Sequence, residues 1–144
     1  MHIAAVLKRK GTEIITASPD DQVDSVARKL AHYKIGAVLV MTDDGRPAGI
    51  LSERDIVRAV AADGAAALER PAADLMTRDL VTGRPSDTVS QIMGVMTQRR
   101  IRHLPILDNG ELIGLVSIGD IVKARLDDAE LEVESLRGYV AGMG

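Results

Sequence analysis

The sequence predicts an α/β (α+β) fold: two copies of one unit, each a small three-stranded sheet with two helices, stacked about a pseudo-twofold axis and flanked by N-terminal and C-terminal helices. Three observations predict it. A segment of about 50 residues occurs twice, the apolar period inside each copy switches between that of a helix and that of a strand, and the chain has a globular composition. With 46% apolar and 27% charged residues over 144 positions, it has enough apolar surface for a shared core but too few residues for two large domains.

The repeat sets the order of elements. Residues 13–60 recur as 79–125: Thr16, Pro19, Asp21, Val23 and Ile35 match Thr82, Pro85, Asp87, Val89 and Ile101 at an offset of 66. After a one-residue deletion, Gly45, Gly49, Ser52, Asp55, Ile56 and Val57 match Gly110, Gly114, Ser117, Asp120, Ile121 and Val122 at an offset of 65. The organisation expected is an N-terminal helix in 1–12, a first repeat in 13–63, a linker with short helical turns in 64–76, a second repeat in 77–126 and a C-terminal helix in 127–144.

Ala4 to Lys10 can form one helix ended by Gly11. Each repeat then opens with a short strand (Ile14 to Thr16; Leu80 to Thr82) and a Pro turn. A helix follows with apolar residues three and four apart: Val23, Val26, Ala27 and Leu30, then Val89, Ile92, Met93 and Met96. A hairpin comes next, Ala37 to Met41 with Ala48 to Leu51 and His103 to Leu107 with Leu112 to Val116, turning at Asp43–Gly45 and Asp108–Gly110. A second helix starts at Ser52 or Ser117 and is expected to bury Ile56, Val57 and Val60, or Ile121 and Val122. Beyond it, Val122, Leu126, Ala129, Val133, Leu136 and Val140 are spaced 4, 3, 4, 3, 4. This a/d-like seam on an acidic helix suits packing on the protein's own body or a homodimer interface.

Composition excludes several functions. Eighteen Lys+Arg against 21 Asp+Glu leave a net charge of −3, which offers no global positive field for nucleic acid or an anionic membrane. Without cysteine there are no disulfides, thiolate metal sites or cysteine nucleophiles. The longest apolar run, Ile35 to Met41, is too short to span a bilayer. The N-terminus turns basic after a brief apolar stretch, the reverse of a secretory signal, so a cytoplasmic protein is expected. His2, His32 and His103 lack metal-ligand spacing, and neither a nucleophile elbow nor a Ser-His-Asp arrangement is present. Phe and Trp are absent, so a planar ligand must lie on aliphatic side chains and backbone.

Two segments recur in register: Gly49-Ile50-Leu51-Ser52-Glu53-Arg54-Asp55 and Gly114-Leu115-Val116-Ser117-Ile118-Gly119-Asp120, both G-x-x-S-x-x-D. Each suits a capping box, Ser closing a helix N-terminus with an acid three residues on. Taken singly each reads first as a cap; its recurrence in register raises a second reading, a ligand turn in which helix N–H groups face a phosphate and the carboxylate receives the hydroxyls of a ribose. The two roles are compatible.

Over about residues 11–126 the chain resembles a tandem pair of CBS domains, a Bateman module. The resemblance rests on the duplication, both G-x-x-S-x-x-D segments and the strand Ile101-Arg102-His103-Leu104-Pro105-Ile106. It implies two clefts for adenosine-containing ligands: AMP, ADP, ATP, NAD(H) or S-adenosylmethionine. Asp55 and Asp120 would receive ribose, with Ser52 and Ser117 touching ribose or phosphate. In the family each cleft joins one repeat's turn to the other's strands, which would group Ser52, Arg54 and Asp55 with Thr82, Arg102, His103, Leu104 and Pro105. Ser117, Gly119 and Asp120 would be grouped with Thr16, Gly36, Ala37 and Val38. The first group is rich in cations, with Arg99 and Arg100 nearby; the second, with Gly119 and Gly36, shows fewer. Lys8, Arg9 and Lys10 read as a helix C-terminus favourably placed on its dipole, within reach of a phosphate.

The resulting expectation is a non-catalytic energy or redox sensor that binds AMP or NAD(H), forms a homodimer and acts on an unidentified regulated protein. A structural or dimerisation module without nucleotide is the alternative, its Ser and Asp residues serving only as caps. A hydrolase using Asp55 or Asp120 as base lacks an evident second catalytic group.

Overall fold

A computed structural model describes residues 1–11 and 13–143, with side chains to residue 138. The chain divides into two compact units, Glu13–Val81 and Met1–Thr12 with Thr82–Gly144.

In the unit Glu13–Val81, strand β1 (Thr16–Ala17) pairs in parallel with β2 (Ala37–Met41), which pairs antiparallel with β3 (Pro47–Ser52). Parallel neighbours need a crossover, and helix α2 (Val23–Tyr33) supplies it. Its Val23, Val26 and Leu30 are buried against Val38, Val40 and Leu51 of the sheet. α2 stops where Lys34 turns left-handed at φ 54° and the N–H groups of Lys34 and Ile35 both return to the Leu30 carbonyl. Helix α3 (Glu53–Asp63) follows β3 directly, and only Ile56 of its residues is buried. Residues 64–76 hold a 3₁₀ turn (Gly64–Glu69) and helix α4 (Ala72–Leu75). They are bonded to the start of α2 through Val23 N–H to Arg70 O, Ala72 N–H to Asp21 O and Ala73 N–H to Pro19 O.

The other unit repeats this plan with differences. Helix α5 (Val89–Arg99) buries Val89, Ile92 and Met96 and ends at Arg100, φ 55°, on the Met96 carbonyl, the positional counterpart of Lys34 on Leu30. Strands β4 (His103–Asp108) and β5 (Glu111–Ser117) form the hairpin, with Asn109 and Gly110 both at positive φ in a two-residue turn. The expected third strand, Leu80 to Thr82, is reduced to a single parallel bridge, Gly83 to Ile106. Its N–H and C=O bond to Pro105 O and Leu107 N–H. Gly83 stands where β1 has Ala17; glycine weakens a strand, and Pro85, like Pro19, prevents the ladder from extending.

Helix α1 (Ile3–Lys10) belongs to this second unit, burying Ile3 and Val6, with its first N–H groups on Asp87 O and Pro85 O. Helix α6 (Ile118–Met143) runs unbroken from Ser117 through the expected end of the repeat.

Two expectations about burial are corrected. Val57 and Val122, which occupy equivalent positions and were expected in the core, are 66% and 49% exposed, and Val60 is exposed as well. Ile56 and Ile121 alone turn inward at that level, because the first turn of each helix meets the sheet over a narrow stripe. Among the described residues the α6 seam is not covered by its own unit: Leu126, Val133 and Leu136 are all exposed. Past Ala124 α6 buries no described side chain; Val140 of the seam lies outside the described side chains.

Gly49 and Gly114 admit a close neighbour. A Cβ on Gly49 would lie 2.8 Å from the Thr77 carbonyl oxygen and 2.7 Å from Met76 Sδ, because Thr77 runs antiparallel beside β3 there and exchanges both backbone bonds with Ile50. A Cβ on Gly114 would lie 2.5 Å from Leu7 Cδ2, because the Leu7 side chain of α1 rests on β5 at the matching position. Gly49→Ala is therefore expected to destabilise the protein by ~1–3 kcal/mol, since it presses on backbone, and Gly114→Ala by less, since Leu7 can rotate. Urea midpoints of the two variants check this; equal midpoints would show that the 76–77 segment yields as easily as a side chain.

Candidate functional site

Ser52 and Ser117 end β3 and β5 in extended backbone, and the next residue of each begins a helix. A helix start leaves N–H groups without intrahelical partners, and both turns close them reciprocally. In the first, Asp55 N–H donates to Ser52 Oγ (3.3 Å), while Ser52 N–H and Ser52 Oγ–H donate to Asp55 Oδ2, each at 3.0 Å. In the second, Asp120 N–H donates to Ser117 Oγ (3.2 Å) and Ser117 N–H donates to Asp120 Oδ2 (2.8 Å). The capping reading of both motifs is thus realised, with both carboxylates held at a helix N-terminus and only half-buried.

Each turn lies beside the start of its own unit's hairpin. Ala37 is the register partner of Ser52, and Glu53 N–H donates to Gly36 O, so Gly36, Ala37 and Val38 adjoin Ser52, Arg54 and Asp55. Correspondingly, His103 is the partner of Ser117, and Ile118 N–H donates to Arg102 O, so Arg102 to Pro105 adjoin Ser117, Gly119 and Asp120. Arg54, Arg102, Thr82 and Gly119 are exposed. Val38 and Leu104 are completely buried and Ala37 nearly so, leaving them little beyond backbone to offer a ligand. Thr16 is half-buried in β1, its carbonyl bonded by Lys29 Nζ at 2.7 Å.

The partner that sequence reasoning missed is Lys10. Its ammonium, at the end of α1, donates to Asp120 Oδ2 (2.7 Å) and to Leu115 O (2.6 Å), while Arg9 pairs with Asp127 at 2.9 Å. Cations do surround Asp120 from within its own unit: Lys10, Arg9 and Lys123 line one small cavity with it. No local spacing signals a bond across 110 positions. The nearest hint was a basic helix end in the same chain as a recurring acid.

Burial of the Asp120 carboxyl pushes its pKa up, but the hydrogen bond from Lys10, the Ser117 N–H, the Lys10 charge and the Ser117 hydroxyl together hold it below the ordinary 3.8. Among the described residues no group of three or more His, Asp or Glu could hold a metal ion, and no helix is long and apolar enough to cross a membrane.

A carboxyl depressed in the folded state adds stability that is fully present above its ordinary pKa and is lost as the pH falls through the folded value. Stability should accordingly fall below about pH 4, and Asp120→Asn should flatten that part of the profile in acid titrations followed by circular dichroism. An unchanged acid limb would mean that the Lys10 contact does not bias protonation. Ser52→Ala should cost ~1 kcal/mol as a lost N-cap, measured by urea unfolding.

Residues 8–62 and 72–127 each match the CBS domain. The CBS domain-containing protein CBSX3, mitochondrial, of Arabidopsis thaliana is 32% identical over 97% of this chain and 72% of its own length. The crystal structure of the CBS-domain containing protein ATU1752 from Agrobacterium tumefaciens superposes with a TM-score of 0.84 at 44% identity, over 86% of this chain and 92% of that one. The CBS domain pair of protein MJ0100, solved in complex with 5′-methylthioadenosine and S-adenosyl-L-methionine, shares the fold at a TM-score of 0.77 and 22% identity, covering 90% of this chain and 98% of that one. With the same capped turn at the same place in each matched segment, the chain belongs to the CBS-domain proteins, as a tandem pair.

Proposed function

We propose that this CBS pair, a regulatory rather than catalytic module, binds adenosine-containing ligands through Asp55 and Asp120, acting as a sensor of AMP or NAD(H). The observation that carries the reading is the recurrence, at equivalent helix starts, of a carboxylate held by a Ser cap beside the opening of a hairpin. A fixed carboxylate can receive both hydroxyls of a ribose, and helix N–H groups favour a neighbouring phosphate. Ser52 and Ser117 then touch ribose or phosphate. The exposed Arg54 and Arg102 supply charge for phosphates, with Thr82 and His103 in the same role of polar contact. Thr16, Gly36, Ala37, Val38, Leu104, Pro105 and Gly119 complete the surroundings, largely through backbone.

The two molecules bound by the MJ0100 pair share an adenine carried on ribose, the part of a ligand that such a carboxylate would recognise. ADP, ATP and S-adenosylmethionine carry the same part and are the other candidates. The exposed 4-3-4-3 seam of α6 supports a homodimer with a second copy of this chain, and the signal passes by population shift to a regulated protein. The compartment proposed is the cytoplasm, although the Arabidopsis relative carries a mitochondrial name.

A second reading is favoured by the completeness of the caps: Ser52–Asp55 and Ser117–Asp120 already satisfy each other, as in a purely structural or dimerising module. A thermal-shift panel of AMP, ADP, ATP, NAD, NADH and S-adenosylmethionine separates the two. Stabilisation by one or two of them is expected under ligand binding, and a flat panel under capping alone. Calorimetry with the stabilising ligand should show Asp55→Ala weakening its binding by ~1.5–3 kcal/mol, the range for hydrogen bonds to a charged group; unchanged affinity removes Asp55 from the site.

A further inference from the structure

We propose that Lys10 is a tethered competitor for Asp120: α1 places an ammonium on the carboxylate that would receive a ribose diol, so a diol takes both oxygens of this carboxylate only when Lys10 releases it. The inference rests on the ribose reading of Asp120 given above and adds its regulation.

The geometry follows from how α1 lies on β5. Leu7 rests at Gly114, and Lys10, one turn further along the same face of the helix, reaches the Leu115 carbonyl and Asp120 Oδ2 together. That oxygen already accepts the Ser117 N–H at 2.8 Å, so with Lys10 at 2.7 Å two strong donors share it. A diol that spans both carboxylate oxygens brings one hydroxyl to Oδ2, where it has to displace one of those donors. The Ser117 bond closes the helix cap, whereas the lysine side chain is flexible and 38% exposed, so Lys10 is the one that leaves.

The released ammonium has somewhere to go. The cavity of about 100 Å³ beside it carries a second carboxylate, Asp127, which Lys10 would share with Arg9, already paired there at 2.9 Å. The cavity is well below the ~300 Å³ of the smallest usual ligand pockets, which makes it a berth for a side chain rather than a nucleotide site. The device belongs to one repeat only. At Gly49 the neighbouring segment presents Met76 and Thr77, neither of them a cation, and the Arg78 that follows donates to the Ala73 carbonyl. The two copies of one motif therefore differ in the second donor on the carboxylate oxygen: at Asp120 it is the Lys10 ammonium of another element, and at Asp55 it is the hydroxyl of the motif's own Ser52.

The test is calorimetric titration with adenosine, which carries the diol but no phosphate and so separates competition for Asp120 from any attraction of Lys10 for a phosphate. Lys10→Met should bind adenosine about two- to fivefold more tightly at the Asp120-dependent site, the free energy of a partly exposed ion pair expressed as affinity. Lys10→Arg, which keeps the ion pair, should stay near the parent, as should Lys8→Ala, which removes an exposed charge of α1 that lies outside the Asp120 cavity. Asp120→Ala should lose that site with or without Lys10→Met. Asp120-dependent binding that is unchanged or weaker in Lys10→Met overturns the competitor role and makes Lys10 a support of the carboxylate. No adenosine binding by any of these folded variants overturns the ribose reading itself, and the competitor with it.

Discussion

The reciprocal Ser–Asp cap is the interaction on which both halves of this molecule depend. Strand and helix meet there with no loop between them, so the helix N–H groups would lack partners at the edge of the sheet if the serine hydroxyl and aspartate carboxylate did not close them. Closing them fixes three things together: the direction in which the helix leaves the sheet, the rotamer of the carboxylate, and the position of the neighbouring hairpin start. Function and stability share these atoms, so a carboxylate that already holds a cap is a preorganised acceptor.

The glycine three residues before each serine adds a second constraint. A neighbouring segment packs against the strand there, and the two repeats supply different material: residues 76–77 at Gly49, and Leu7 of α1 at Gly114. Duplication thus preserved the turn while changing what lies on it. The chemical consequence is at Asp120, where α1 carries Lys10 into an ion pair that lowers the carboxyl pKa. Two copies of the same seven-residue pattern come to have different electrostatics without any difference in their Ser or Asp.

Exposed apolar side chains are concentrated on the helices that follow these caps. Ile56 and Ile121 seat α3 and α6 on their sheets, whereas Val57, Val122, Leu126, Val133 and Leu136 point outward. Helical period accounts for the first turn, where one residue in about four faces the sheet. Further along α6 the described apolar side chains are exposed, and the spacing that marks a packing seam has no partner within its own unit.

The duplication, the alternation of helix and strand, the hairpin boundaries and the capped turns were legible in the residues, because they depend on period and on short-range hydrogen bonds that a linear pattern encodes. The helices on the Val23 and Val89 stripes and the hairpins lie where periodicity put them; the opening strands shifted by about a residue, and the second dwindled to a bridge at Gly83. Spacing did not decide whether Val57 and Val122 face inward, since a seam shows that a face is apolar but not what covers it. Nor did it disclose Lys10 on Asp120. That contact exists because α1 folds with the second repeat, and a bond between residues 110 positions apart is set by tertiary packing rather than by any local pattern of the chain.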